Sequence, residues 1–271
     1  MANSFLARAV QAAELRVSRA SRVVPLEDHQ ARASRWRNSP RLSDAISGEG
    51  VAVIAEVKRA SPSRGYLAPI PDPAGLAQSY AEGGAAAVSV LTEPQWFGGS
   101  LEDLAVVVEA TALPVLRKDF LISPYQVWEA RGIGAAAVLL IVAALEPQQL
   151  VHLLRTCGDA SVDALIEIHD AAEVSTALAA YEEAAVELPL IIGVNARDLA
   201  TLDVDPGQFA DVRDKLPPEA IAVAESGVAG AEDVRRLADL GADAVLVGEH
   251  VATALDPRAA VAQLVAAGRT S

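Results

Sequence analysis

The chain has 271 residues, of which 52% are hydrophobic, and 22 Lys plus Arg face 36 Asp plus Glu for a formal net charge of -14. That apolar fraction excludes general disorder, and the negative field disfavours nucleic acid and anionic membrane surfaces as partners. The single Cys157 excludes an internal disulfide and a Cys-rich metal site, which fits a reducing, cytoplasmic setting.

Length alone suggests about two domains of ~150 residues, yet an α/β barrel of ~250 residues forms one. Only 4% of the residues are aromatic, so the core must come from Ala, Val, Leu and Ile. No apolar run approaches the ~18 residues needed to span a bilayer, and no secretory signal pattern is present. The first 45 residues carry eight Arg against four acids, a charge of +4 that leaves -18 for the rest. An Arg- and Ser-rich, acid-poor start has the composition of an organelle transit peptide. Phe5, Leu6, Ala9, Val10, Ala13 and Val17 recur at helical spacing, however, which predicts an amphipathic helix docked on a larger body.

From residue 51 short apolar, β-branched runs recur at 51–57, 86–92, 114–119, 136–142, 163–168, 190–195, 220–226 and 244–248. Their starts lie roughly 22 to 35 residues apart, the size of one strand–helix unit. Helix-like segments fall between them at 74–82, 100–110, 124–131, 171–180 and 232–239, and Gly83-Gly84, Gly134 and Gly241 sit where each helix should stop. Strands that read as continuous apolar runs are parallel and covered on both faces. Eight such units without a change of composition predict a closed (β/α)8 barrel, one domain over 1–271 with residues 1–48 as an N-terminal helical extension. A doubly wound sheet is the alternative, but the first strand is followed by Lys-Arg-Ala-Ser-Pro-Ser rather than a Gly-rich turn.

In a barrel, function gathers at the C-terminal ends of the strands. Those ends carry Glu56 and Lys58, Glu93, Lys118, Glu167 and His169, Asn195 and Arg197, Glu225, and Gly248 with Glu249. Charges directed into an apolar barrel cost several kcal/mol each unless paired, so they need a reason. Of the basic residues only Lys58, Lys118 and Lys215 are Lys. A desolvated Lys can exchange a proton near neutral pH where Arg cannot, which points to acid–base duty for Lys58 and Lys118, or a Schiff base; ion-pairing with the nearby carboxylates is the structural alternative. Lys215, in a polar stretch, reads as a surface residue. Asn195 ends an apolar strand, where its amide should bond a ligand, a catalytic neighbour or the next loop. No His pair has ligand spacing, so zinc is not expected and no metal is assigned; His169 reads as a residue behind the site or in packing. Ser226-Gly227 and Gly248, after the seventh and eighth strands, lie where barrels commonly bind phosphate. Phe97 and Phe120 either wall the same opening or pack between helices.

Taken together, IAEVKRASPS (54–63), LTEPQWFGGS (91–100), PVLRKDF (114–120), LLIV (139–142), LIEIH (165–169), IGVNARDL (192–199), VAESGV (223–228) and VLVGE (245–249) resemble indole-3-glycerol phosphate synthase in every unit from about residue 50 to 268. The resemblance implies a (β/α)8 barrel with an extra N-terminal helical segment, which replaces the transit-peptide reading. It also implies a tryptophan-biosynthetic lyase without cofactor, acting as a monomer or weak homo-oligomer. In that reaction 1-(o-carboxyphenylamino)-1-deoxyribulose 5-phosphate closes its ring, loses CO2 and then water to give indole-3-glycerol phosphate. By the same resemblance, Lys118 is the general acid and, with Arg197, the cation beside the substrate carboxylate. Glu167 is the base of the dehydration, Lys58 protonates the departing hydroxyl, and Glu56 orients the lysines. Asn195 and Glu225 position hydroxyls. Lys58, Ser226, Gly227, Gly248 and Glu249 hold phosphate. Pro62, Glu93, Phe97, Phe120, Leu139 and Leu199 contact the rest of the substrate.

The chain departs from the pattern in an N-terminal arm without a Lys-rich helix, in Tyr66, and in a long acidic connection at 181–187. A paralogue serving a specialised indole pathway, and a phosphoribosyl isomerase-type barrel, are the alternative functions. The isomerases place a Cys or Asp on the first strand and an Asp on the fifth, whereas this chain has Glu56 and Glu167 and would leave both lysines without duties.

Overall fold

The computed structural model describes residues 4–198 and 201–269. Eight strands, β1 (Ala52–Val57), β2 (Ala87–Leu91), β3 (Val115–Lys118), β4 (Ala137–Ile141), β5 (Asp163–Ile168), β6 (Ile191–Asn195), β7 (Ile221–Glu225) and β8 (Ala244–Val247), form a parallel ring. β1 pairs with both β2 and β8, which closes the sheet. Each expected strand is present, shorter at one or both ends in most cases.

Twelve helices are present among the described residues: α1 (Phe5–Val23), α2 (Leu26–Ala33), α3 (Leu42–Ile46), α4 (Pro73–Glu82), α5 (Leu101–Ala110), α6 (Pro124–Ile133), α7 (Pro147–Ala160), α8 (Ala171–Ala184), α9 (Gln208–Arg213), α10 (Ala231–Asp239), α11 (Glu249–Ala252) and α12 (Pro257–Gly268). Periodicity did not single out α7, α9, α11 or α12. The apolar run of β4 continues through Val142 and Leu145 and blurs the start of α7, and the Ala- and Val-rich α12 has little polar face to mark a period. The acidic connection at 181–187 proves to be largely helix: α8 runs on to Ala184, and the Tyr181 hydroxyl donates to the Leu188 carbonyl beyond it. Of the glycines at the joints, Gly84, Gly134 and Gly241 adopt left-handed φ of 91°, 113° and 79°, which a side chain would strain.

Alternation along the strands sorts the core into two bodies. Val53, Val88, Val138, Ile166 and Val245 face outward into the helix layer. Ile54, Leu116, Leu139, Leu165 and Val223 fill the barrel interior. Ala9 and Ala13 of α1 and Leu42 and Ile46 of α3 belong to that interior body although they lie outside the barrel sequence. The N-terminal extension is therefore a strap between both ends of the barrel.

At the C-terminal end of the strands α1 is fixed by Arg16, which pairs with Glu93 at 3.2 Å and Asp119 at 2.7 Å. α2 runs along α6, where the His29 ring nitrogen Nε2 is 3.0 Å from the Tyr125 hydroxyl. α3 closes the opposite end: the Ser43 N–H donates to Asp163 Oδ2 at 2.8 Å and Arg41 pairs with Asp163 Oδ1. The Arg excess of the arm is thus complementary to acids of the barrel, with Arg35, paired to Glu109, as a third and exposed arginine.

Asp163 is 1% exposed, and its removal leaves the buried Ser43 N–H without an acceptor. Asp163→Ala should lower the unfolding free energy by about 1–3 kcal/mol in urea titration. A loss below about 0.5 kcal/mol would mean that Leu42 and Ile46 alone hold α3 in place.

Candidate active site

The inward positions continue past the apolar layers into a charged one. Alternation from Ile54 brings Glu56 and Lys58 to the interior at the C-terminal end, and from Leu116 it brings Lys118. Glu167 follows Leu165, Asn195 follows Ile191 and Gly193, and Glu225 follows Val223. These side chains border one cavity of about 530 Å³, within the usual range for small-molecule sites.

Lys118 Nζ lies 3.0 Å from Glu167 Oε2 and in close contact with Glu225 Oε2. Both carboxylates are almost fully buried, at 2% and 1% exposure. Lys58 Nζ is 3.5 Å from Glu56 Oε1 and 5.8 Å from the centroid of the Phe97 ring. The Ser89 hydroxyl donates to Glu56 Oε2 at 3.2 Å. Glu56 is thus in direct contact with Lys58, while Lys118 is gripped by the other two acids and feels Glu56 only through its charge.

Space for these carboxylates comes from glycine. A Cβ on Gly193 would collide with Glu225 Oε1, and one on Gly248 would stand 2.5 Å from Glu56 Oε1. Neither residue is in the left-handed region; each is small because a neighbouring strand's carboxylate occupies its side-chain volume.

Asn195 Oδ1 accepts from the Arg197 N–H at 3.0 Å and from the Ser226 hydroxyl at 2.8 Å. The Asn carbonyl therefore shapes the next loop and ties it to β7, as well as bordering the cavity. Ser226 and Gly227 both take left-handed φ, 66° and 77°. For Ser226 that conformation is uncommon, and the bond to Asn195 helps to hold it. Gly248 and Glu249 begin α11 beside this turn, with Arg64 Nε 3.3 Å from Glu249 Oε1. Arg197 donates to the Leu202 carbonyl at 2.7 Å and to the Ser63 hydroxyl at 3.2 Å, drawing the loop after β1 over the cavity.

The opposite wall is apolar. Phe97, Phe120, Leu139 and Pro62 border the cavity, joined by Phe5 from α1, whose ring packs edge-on to Phe120 at 5.9 Å and to Trp96 at 5.4 Å. Leu199 lies outside the described residues. Glu93 borders the cavity, but its carboxylate is engaged by Arg16 and by the N–H groups of Gln95, Trp96 and Phe97 at 2.7–3.3 Å, so it braces the loop that presents Phe97. Phe5, read from the sequence only as a docking residue, and Ser89, not singled out there, both belong to the site. Ser89 had a signal, a hydroxyl at an inward position of a strand; Phe5 had none that distinguishes a cavity wall from a docking contact. Lys215 is exposed, as expected.

Burial works against the charge of Lys118, but Glu167, Glu225 and Glu56 outweigh it and raise its pKa well above the usual lysine range. Burial also opposes ionisation of Glu167, yet Lys118 and His169 outweigh it and hold this carboxyl far below its ordinary value. Glu225 goes the other way: burial, aided by the negative Glu167 and only partly opposed by Lys118, pushes it up to about 8. Two carboxyls sharing one ammonium are thereby driven apart, the arrangement by which a site keeps one acid and one base.

A family model described as Indole-3-glycerol phosphate synthase matches residues 6–264. Relatives with that name include one from Kineococcus radiotolerans, 52% identical over 92% of this chain and 86% of its own. Another, from Mycobacterium sp. (strain KMS), is 51% identical over 91% and 88%. The indole-3-glycerol phosphate synthase 1 of Streptomyces coelicolor is 50% identical over 90% and 88%. Among solved structures, 3-hexulose-6-phosphate synthase from Salmonella typhimurium superposes with a TM-score of 0.60 at 14% identity, covering 80% of this chain and 98% of that one. A thiamine phosphate pyrophosphorylase from Pyrococcus furiosus gives 0.56 at 16% identity, covering 80% and 95%. At that identity the likeness is one of fold.

The raised Glu225 has a consequence for stability. Its folded pKa of about 8 exceeds the ordinary 4.5, so the folded state binds more protons between those values, and its contribution to stability declines as pH rises through that window. Glu225→Gln removes the proton exchange. The difference in unfolding free energy between variant and parent, measured by urea titration at several pH values, should therefore move steadily in the variant's favour from pH 4.5 to about 8. A difference independent of pH would show that Glu225 ionises normally.

Proposed function

Because the chain belongs to the indole-3-glycerol phosphate synthase family, we propose that it converts 1-(o-carboxyphenylamino)-1-deoxyribulose 5-phosphate to indole-3-glycerol phosphate, CO2 and water, a lyase step of tryptophan biosynthesis, in the cytoplasm. The observation that carries the reading is the buried Lys118 gripped by Glu167 and Glu225 at the base of a cavity with an apolar and an anion-receptive side.

The anthranilate ring fits among Phe5, Phe97, Phe120, Leu139 and Pro62. The phosphate fits against Lys58 and the backbone N–H groups around Ser226, Gly227, Gly248 and Glu249. Arg64 stands beside that end, where it offsets the Glu249 carboxylate. Asn195 and Glu225 face the sugar hydroxyls between the two ends.

Ring closure forms a bond from the ring carbon that bears the carboxylate to the ketone carbon. The ketone oxygen becomes an alcohol by taking a proton from Lys118, which its acidic neighbours keep charged until that moment. The same ammonium, with Arg197, balances the substrate carboxylate. Departure of CO2 then leaves its electron pair on the ring and restores aromaticity. Dehydration removes the new hydroxyl as water, with a proton from Lys58 held by Glu56, and Glu167 takes the proton lost from the five-membered ring. The site draws one proton from solvent overall, as loss of CO2 from a carboxylate requires.

The direct test follows indole fluorescence as the purified protein acts on the carboxyphenylamino substrate; absence of product would overturn the reading. Lys118→Met should lower turnover by about 10²- to 10⁴-fold with unchanged circular dichroism, the scale of a lost general acid. Turnover within about five-fold of the parent would remove Lys118 from that role. Phe5→Ala should raise KM by about 5- to 30-fold, matching ~1–2 kcal/mol of lost apolar contact, with little change in kcat. An unchanged KM would exclude α1 from the substrate site.

A further inference from the structure

We infer that His169 is a positioning residue that fixes the negative charge on Glu167 rather than Glu225, with Glu173 as its own counter-ion. This rests on the reading of Glu167 as the base of the reaction. His169 follows β5 directly, and it does not border the cavity. Its ring lies behind Glu167: Nε2 is 3.3 Å from Glu167 Oε1, and Nδ1 is 3.4 Å from Glu173 Oε2 in the first turn of α8. Lys118 occupies the other oxygen of Glu167. Lys118, Glu167, His169 and Glu173 therefore form a line of alternating charge from the cavity into the helix layer.

The loop fixes this line independently of the ring. The His169 N–H donates to Glu173 Oε2 at 2.7 Å, and Gln208 of α9 donates to the His169 carbonyl. Each ring nitrogen stands 3.3–3.4 Å from one carboxylate oxygen, so the ring acts on both acids at contact distance. The groups around it are Glu167 from β5, Glu173 from α8 and the neutral Gln208 from α9. Lys118 from β3 and Glu225 from β7 lie one carboxylate further away. Burial disfavours the imidazolium, but the two carboxylates outweigh burial and raise its pKa to about 10.

The inference explains an asymmetry that Lys118 alone cannot. Lys118 touches both Glu167 and Glu225, so it gives no reason for one to ionise and the other to keep its proton. Among the described residues, a second cation contacts Glu167, while Lys118 is the one cation paired with Glu225. Glu225 Oε1 is buried without a hydrogen-bond partner, and ionisation there would be costly. With the imidazolium in place the base is ionised before substrate arrives, and Glu225 is the carboxyl that stays neutral.

Two measurements test this, one without substrate. In ligand-free enzyme carrying ¹⁵N-labelled histidine, NMR titration should show one imidazole that keeps its proton beyond pH 8, and Glu173→Gln should lower its midpoint by about one unit or more. In the indole fluorescence assay, His169→Asn should move the acid limb of kcat/KM upward by about one pH unit while plateau kcat falls less than about ten-fold. Glu173→Gln should move the limb in the same direction by less, and it serves as the test if His169→Asn does not fold. A titration in which no imidazole keeps its proton beyond pH 8, or a uniform loss of activity with the acid limb unmoved, would overturn the inference. Should the parent form no indole product, the functional reading fails while the NMR titration still reports on His169.

Discussion

Everything at the mouth of the barrel depends on one buried ammonium shared by two buried carboxylates. Lys118, Glu167 and Glu225 stand where the strands below are filled by Leu116, Leu139, Leu165 and Val223. Charges in such surroundings are tolerable only when paired, and pairing requires the three side chains to meet within contact distance from three different strands. That requirement reaches into residues with no charge of their own. Gly193 is the neighbour on β6 that lets Glu225 turn inward, and Gly248 does the same for Glu56 after β8. The shape of the layer is set by side chains that are missing as much as by those present.

The barrel was legible because its strands are separate apolar runs at near-constant spacing, and because a parallel sheet buried on both faces leaves no polar face to confuse the reading. Charged residues at the ends of such runs are conspicuous, which is why Glu56, Lys58, Lys118, Glu167, Asn195 and Glu225 could be named from their positions. What sequence could not supply was partnership. The two-residue spacing of Glu56 and Lys58 sets them on one face, but nothing in the spacing says that Glu167 and Glu225 compete for Lys118; that follows from strand register, with Glu167 opposite Gly193 and Asn195 opposite Glu225. The same limit hid the work of Glu93. Its place after an apolar strand matches the others, yet its carboxylate is capped by three backbone N–H groups and an arginine from α1.

The N-terminal arm shows a second limit. Its helical period and excess of Arg were plain, but a period states only that a face is buried, not against what. In the fold the arm touches the interior body of the barrel at both ends, through Ala9 and Ala13 above and Leu42 and Ile46 below. Arg16 and Arg41 pair with Glu93, Asp119 and Asp163, three acids that are nearly inaccessible to water, and Arg117 of β3 adds a second cation on Asp119. The charge imbalance between arm and barrel is therefore a pairing specification. The acids at the two rims would be strongly unfavourable if the arm were absent, so the segment that delivers Phe5 to the cavity also completes the barrel's electrostatics.

That coupling bears on how a single cavity treats two unlike ends of one substrate. The aromatic end is built largely from parts that meet only in the folded chain: Phe5 from α1, Phe97 on the loop braced by Glu93, and Phe120 beside Asp119. All three depend on the Arg16 network. The anion-receptive end is built from backbone, with the left-handed Ser226-Gly227 turn held by Asn195 and the turn into α11 beside it. Between them stands Lys118, whose charge is maintained by carboxylates rather than by solvent. On the proposed reading, an apolar group at one end and an anion at the other fix the substrate's direction before any proton moves, and the central ammonium then meets a single part of it. Orientation comes from the walls and reactivity from the middle, a division possible because the arm and the barrel rim share the same buried ion pairs.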